Sequence, residues 1–313
     1  MRRFLLSLLC LLILAGCGAA PEETGGPTLT PLPTTTAPDF PVVATQACQL
    51  NRFAALRTRQ PQGDLLAWTP DSSTLAFVGP AENSNWFSGV LQIAEAPDFS
   101  DPRPLSANLL VFGDLAWSPD GQRIAYIIFR QPDTFSAAVS APPDNAPLDL
   151  FSSLDPRTDS YDSSKAIQGW RSASVLRVLS SCGVDCDQAY EIDLQGLQAA
   201  PVGEQTRKAK DRLAPQANTR EYDETIFPVM WLASWDTRLS PQMKRPTWTL
   251  DGEKVAYIDS NVYAWVLRLD KKHQYPLETP NVDVQELKWS PDGRYLALRT
   301  DDDVYVYDTE CAP

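Results

Sequence analysis

One string recurs along this chain and limits what it can fold into. Four segments align without gaps: Trp68-Thr-Pro-Asp-Ser-Ser-Thr-Leu-Ala-Phe77, Trp117-Ser-Pro-Asp-Gly-Gln-Arg-Ile-Ala-Tyr126, Trp248-Thr-Leu-Asp-Gly-Glu-Lys-Val-Ala-Tyr257 and Trp289-Ser-Pro-Asp-Gly-Arg-Tyr-Leu-Ala-Leu298. Each reads as an aromatic strand end, a tight turn and a second strand. Proline presets φ near −65°, Asp tolerates turn geometry and Gly supplies positive φ. After the turn, apolar and small residues alternate with period two, the mark of a β-strand. Self-similarity at this spacing is the signature of a repeat architecture.

A fifth, worn copy begins at Trp170 (Trp170-Arg-Ser-Ala-Ser-Val-Leu-Arg-Val178) and is one residue short in the turn. The interval from Trp170 to Trp248 is too long for one unit. Arg212–Ala217 is a candidate sixth turn within it, with Val229–Leu232 and Thr237–Ser240 as later strands. A third strand is expected after each copy, for example at Val90–Ile93, Ala189–Asp193, Val262–Leu269 and Val304–Asp308. Units of about 40–45 residues with four strands each describe propeller blades. The sequence therefore predicts an all-β fold, a β-propeller of six blades, with five as the alternative. The last unit supplies only three strands, Gln285–Trp289, Tyr295–Arg299 and Val304–Tyr307. Its fourth is expected from the N-terminal side, at Phe53–Arg57, which closes the ring and removes exposed sheet edges.

The WSPDG-x-x-(Ile/Leu/Val)-Ala-Tyr strings resemble the TolB-type propeller repeat, a WD-like family found in bacterial envelope proteins. The resemblance covers residues 48–313. It implies six blades around a central channel and implies no single function.

The N-terminus carries a different signal. Arg2 and Arg3 precede an apolar run, Phe4 to Leu14, broken only by Ser7. The run has the length of a signal-peptide core, about 7–15 residues, and is shorter than the roughly 20 needed to span a bilayer. Leu14-Ala15-Gly16-Cys17 resembles the bacterial lipobox, which implies a signal peptide over residues 1–16 and a lipid on Cys17. Two or three acyl chains give stable membrane anchoring. Residues 17–46 read as a tether. Pro21, Pro27, Pro31, Pro33, Pro38 and Pro41, interleaved with threonines, favour extended conformations over a packed core. Residues 47–313 then form the folded body, on the outer face of the cell membrane or within the envelope.

Four cysteines remain after Cys10 and Cys17: Cys48, Cys182, Cys186 and Cys311. In an exported chain an even number suggests disulfides. Cys182 and Cys186 lie in a short turn-like string with Gly183 and are expected to pair locally. That leaves Cys48 to pair with Cys311 and lock the seam. Zinc is not expected, because a Cys-x3-Cys pair needs further ligands and the chain has one histidine.

The formal net charge is −13, which argues against nucleic acid as a partner. Catalytic signatures are sparse. No Gly-x-Ser-x-Gly, P-loop or dinucleotide fingerprint occurs, and no catalytic residue, cofactor or metal is assigned. His273 reads as an exposed residue of a hairpin turn. The repeat aspartates Asp71, Asp120, Asp251 and Asp292 are explained by turn formation, and the repeat tryptophans by packing between blades. Asp301-Asp302-Asp303 reads as an acidic hairpin turn, with a calcium site as the alternative. Trp86, Trp231, Trp235 and Trp265 stand outside the repeat. Trp231 and Trp235, with the basic cluster Arg207, Lys208, Lys210 and Arg212, are the candidate partner contacts. The expectation is a non-catalytic lipoprotein that binds a protein or glycan partner. The alternative is a carbohydrate-active enzyme with paired carboxylates at the channel mouth.

Overall fold

A computed structural model describes residues 40–57, 63–80, 89–106, 111–130, 134–143, 146–154, 163–181, 187–202, 244–259, 261–279 and 283–311. The chain first makes β1 (Cys48–Ala54), which belongs to the last sheet. Four antiparallel sheets then follow in order. The first holds β2 (Leu66–Trp68), β3 (Thr74–Gly79), β4 (Val90–Glu95) and β5 (Arg103–Pro104). The second holds β6 (Val111–Trp117), β7 (Ile124–Arg130), β8 (Thr134–Ser140) and β9 (Leu148–Asp149). One short helix, α1 (Leu150–Ser153), follows β9 and is capped by the Asp149 carboxylate. The third holds β10 (Ser163–Trp170), β11 (Val175–Ser181), β12 (Asp187–Asp193) and β13 (Gln198–Val202). The fourth holds β14 (Lys244–Trp248), β15 (Lys254–Ile258), β16 (Ala264–Arg268) and β17 (His273–Pro276). The closing sheet holds β18 (Val284–Trp289), β19 (Tyr295–Thr300), β20 (Asp303–Asp308) and β1, in that spatial order.

The fold is a β-propeller closed by an N-terminal strand. β1 pairs antiparallel with β20, from Cys48 opposite Asp308 to Ala54 opposite Asp303. This strand starts five residues earlier than the expected Phe53–Arg57 and ends three residues earlier. Beyond Ala54 the chain leaves the ladder: Ala55 N donates to Asp302 O, and Leu56 N crosses to Val78 O of the first sheet. The third strands fall where expected, save that β16 starts at Ala264. Val262 has φ +65° and belongs to the preceding turn, whose Val262 N donates to Asp259 O. Five four-stranded sheets lie among the described residues. The candidate sixth turn and its strands, within 203–243, lie outside them.

Strand alternation builds the core between sheets. On β7, Ile124, Tyr126 and Ile128 enter the cluster shared with the first sheet, which includes Leu65, Val78 and Ile93. Ala125 and Ile127 enter the cluster shared with the third, which includes Trp170, Leu176 and Tyr190. Two further clusters join the fourth sheet to the closing sheet and the closing sheet to the first. Outer edges are short or blocked. β5 and β9 have two residues each, and β13 carries Pro201. On β1, Asn51 Oδ1 accepts from Arg52 N while its Nδ2 donates to Phe99 O. Shortened and plugged edges resist pairing with foreign strands.

Candidate functional site

The repeat residues resolve into two structural devices. In each of the four clear copies the hydroxyl after the tryptophan accepts the backbone N–H five residues on: Thr74 N to Thr69, Arg123 N to Ser118, Lys254 N to Thr249 and Tyr295 N to Ser290. The Asp then accepts the N–H two residues on, from Ser73, Gln122, Glu253 and Arg294. In three copies it also accepts from that hydroxyl, at 2.5 Å. The next residue needs positive φ: Gly121 at +69°, Gly252 at +73°, Gly293 at +72°, and Ser72 at +64° in the copy without glycine. Hydroxyl hydrogen bonds, from Thr69 and Ser118 respectively, hold the carboxyls of Asp71 and Asp120 below the usual carboxylate range.

The second device is a latch between sheets. In four of the repeat tryptophans the indole N–H donates to the carbonyl of the residue just before the tryptophan of the preceding described sheet. Trp117 bonds Ala67 O at 3.2 Å, Trp170 bonds Ala116 O at 3.0 Å and Trp289 bonds Thr247 O at 3.1 Å. Trp68 bonds Lys288 O at 3.1 Å and so carries the series across the chain ends. A buried tryptophan with its N–H satisfied is stable core. The cation six residues after the tryptophan reinforces two junctions: Arg123 donates to Ala173 O and the buried Lys254 to Gly293 O.

Acidic groups gather at the inner strands. Glu286 on β18 accepts from Leu65 N at 3.1 Å and Leu66 N at 3.2 Å across the seam. Arg299 Nε lies 3.5 Å from the same carboxylate. Burial, and then the neighbouring Asp64 charge, push the Glu286 carboxyl above its usual range. Asp64 itself pairs with Lys288 at 2.8 Å. Two sheet-to-sheet junctions further on, buried Asp114 accepts from Ile167 N. Glu286 and Asp114 each sit three residues before a repeat tryptophan, as do their donor partners Leu65 and Ile167. These carboxylates therefore tie neighbouring inner strands together through backbone N–H groups. Sequence reading missed them, because their partners lie far away in the chain; the shared offset from tryptophan was the available signal.

Other singled-out residues separate clearly. His273 opens β17 rather than standing in the turn, and its Nε2 contacts Gln46 Oε1 at 3.1 Å. Trp265 is half-buried and donates to Asp259 Oδ2. Asp302 and Asp303 pair with Arg57 and Arg52 beside the closing strand. Among the described residues no group of three metal-capable side chains occurs. Cys48 and Cys311 form a disulfide with Cα atoms 5.9 Å apart. Cys17, Trp86, Cys182, Cys186, Arg207, Lys208, Lys210, Arg212, Trp231 and Trp235 lie outside the described residues. No described helix is long and apolar enough to cross a membrane. A shallow groove of about 480 Å³ runs between β1 and the first sheet, lined by Arg52, Phe53, Pro80, Gln92, Asp101 and Pro102 among others.

No family model matches the chain, and no curated protein matches it. Solved structures similar to it are propellers. TolB from Acinetobacter baumannii matches at 13% identity and TM-score 0.32, over 78% of this chain and 53% of that one. The chain thus spans about half the length of that TolB. A TolB structure from Agrobacterium tumefaciens matches at 14% identity and TM-score 0.35, over 80% of this chain and 72% of that one. The C-terminal WD40 domain of Sif2 matches at 11% and 0.36, over 85% of this chain and 99% of that one. The propeller assignment stands on the sheets, the latches and the closing strand.

Proposed function

We propose that this chain is an exported lipoprotein, anchored through Cys17, whose propeller binds a protein or glycan partner and performs no catalysis. The observation that carries the binding reading is where the recurrent polar groups go. The turn aspartates, the tryptophan N–H groups and the inner carboxylates Glu286 and Asp114 all serve hydrogen bonds that hold the ring. A rigid frame of this kind leaves recognition to its non-repeated segments. The inner carboxylates were the natural candidates for a glycosidase pair, and their bonds to backbone N–H groups disfavour that alternative. The Cys48–Cys311 disulfide supports an extracytoplasmic location, since such bonds persist in oxidising compartments. Trp231, Trp235 and the basic cluster Arg207, Lys208, Lys210 and Arg212 remain the proposed contacts, and Cys182–Cys186 the proposed second disulfide. The test is affinity capture from cross-linked envelopes with the N-terminus intact. Specific retention of one partner supports binding; no retained partner together with turnover of a glycan substrate overturns it.

A further inference from the structure

Among the described residues, the outer edge of the fourth sheet is covered by an added parallel segment, as the other outer edges are not. Residues 41–43 run parallel to β17 along its free side. Val42 bridges Gln274, Gln274 N donates to Pro41 O at 3.1 Å, and Val43 N donates to Gln274 O at 2.9 Å. The Gln274 side chain adds a third bond, from Nε2 to Phe40 O at 3.1 Å. Its Oε1 accepts from Tyr257 OH at 2.7 Å, which fixes the amide's orientation. Phe40 packs against Val255, Tyr257 and Leu267 with half-buried Trp248, Trp265 and Leu269. Val43 packs on the core between the fourth and closing sheets, while Val42 faces solvent.

This is the physics of strand addition to a sheet edge. Main-chain bonds give affinity, and pockets for alternate side chains give selectivity. The seated segment defines what the site accepts: an aromatic residue, then a residue whose N–H is not needed, here Pro41, then an outward residue, then an aliphatic one. We propose that this edge is a docking site for an extended peptide, filled in cis by Phe40–Val43. A partner protein's aromatic-Pro-x-aliphatic segment adds there by displacing the strap.

Two observations make the strap exchangeable. It is held to β17 by one bridge and three hydrogen bonds, whereas β1 is held to β20 along its whole length. The disulfide begins at the next strand: Cys48 is fixed to Cys311, so release of residues 40–43 stops there and leaves the seam closed. The proposal rests on the binding reading in taking a protein as partner, and it is independent of the lipid anchor.

A labelled peptide of residues 37–45 tests it by fluorescence anisotropy on the full chain. In the wild type the tethered strap competes at high effective concentration. Phe40→Ala weakens only that competitor, so the peptide is expected to bind this variant about tenfold or more tightly than wild type. Adding Gln274→Ala to that variant removes the Nε2 bond to the residue-40 carbonyl and leaves the two main-chain bonds, so peptide binding is expected to weaken several-fold, with the β-sheet circular dichroism unchanged. Hydrogen exchange on the wild type with excess peptide gives an independent readout: the Val43 amide loses protection while the Gln274 amide keeps it. Equal binding to wild type and Phe40→Ala, binding unchanged by Gln274→Ala, or no binding and no change at Val43 overturns the proposal.

Discussion

The junction between the first and second sheets and the seam between the closing and first sheets use the same latch. Trp117 bonds Ala67 O in one, and Trp68 bonds Lys288 O in the other. Beyond that they diverge. The internal junction is dominated by aliphatic packing, with Leu65, Val78, Leu91, Ile93, Val111, Ile124 and Ile128 all buried in one cluster. The seam adds aromatic stacking of Trp68 on Tyr295 at 6.0 Å and Phe99 set edge-on to both. It adds the Glu286 bonds, the Lys288–Asp64 pair, and Asp292 N donating to Ser72 Oγ. Outside lie the Arg52–Asp303 and Arg57–Asp302 pairs and the disulfide. Neighbouring sheets inside the chain are kept close by a short connection. The seam joins the two ends, so its closure must overcome the entropy of a long loop, and directional and covalent contacts concentrate there.

If that contrast is right, perturbations of the seam act more strongly than matched ones inside. The disulfide closes a separation of 263 residues, for which the chain-entropy model gives about 5 kcal/mol as an upper figure. Cys48→Ser with Cys311→Ser is expected to lower the denaturant midpoint and to accelerate unfolding. An unchanged unfolding rate would remove the seam's special status. Next comes Glu286→Ala, which strands Leu65 N and Leu66 N beside the buried Arg299 and is expected to cost about 3 kcal/mol. Its pH dependence has a definite sign. The folded carboxyl sits above the ordinary glutamate value of 4.5, so the folded state takes up this proton more readily than the unfolded state. The carboxyl's unfavourable contribution is therefore full at pH above its folded pKa and vanishes below 4.5. Glu286→Gln should flatten the stability profile over the interval just above that value; urea midpoints measured through that interval check it.

The turns titrate the other way. The Asp120 carboxyl lies below 3.8, so what it contributes is present above that pH and is lost as pH falls through its folded value. Asp120→Asn removes that acid-side loss, keeps the fold, and is expected to cost about 1 kcal/mol at neutral pH, read by thermal unfolding. The smallest effect separates two copies of one turn. Gly121→Ser places a side chain at φ +69° and should cost about 1 kcal/mol. Ser72→Gly relieves the same strain but loses the acceptor for Asp292 N, so a near-zero change is expected. A clear stabilisation by Ser72→Gly would mean that this seam bond contributes little.

What was legible in the sequence is what is local. The turn after Trp117 needs only Ser118, Asp120 and Gly121, all within five residues, so its chemistry could be read directly. The need for a closing strand was also legible, because the last repeat lacks a fourth. Its register was not. The expected Phe53–Arg57 slides to Cys48–Ala54 because the ladder runs to Asp308, beside the residue that Cys48 bonds. The Glu286 bonds and the Trp68 latch join residues some 220 positions apart, and the only linear trace of the carboxylates is their shared three-residue offset from a repeat tryptophan. In sequence, residues 40–46 continue the proline–threonine tether. The signal that distinguished them was Phe40 with Val42 and Val43, the aromatic and branched aliphatic residues in an otherwise polar and small run. Their pocket exists only once β15, β16 and β17 are assembled.

The proposed lipid anchor at Cys17 and the disulfide that clasps the seam of the propeller meet in one experiment. Non-reducing peptide mapping by mass spectrometry, on the full chain extracted from its native membranes, tests both together. The account predicts a mature chain that begins at a diacylated Cys17, with the Cys48 and Cys311 peptides linked to each other. An unmodified Cys17 within an uncleaved N-terminus, and free thiols at Cys48 and Cys311, would contradict it.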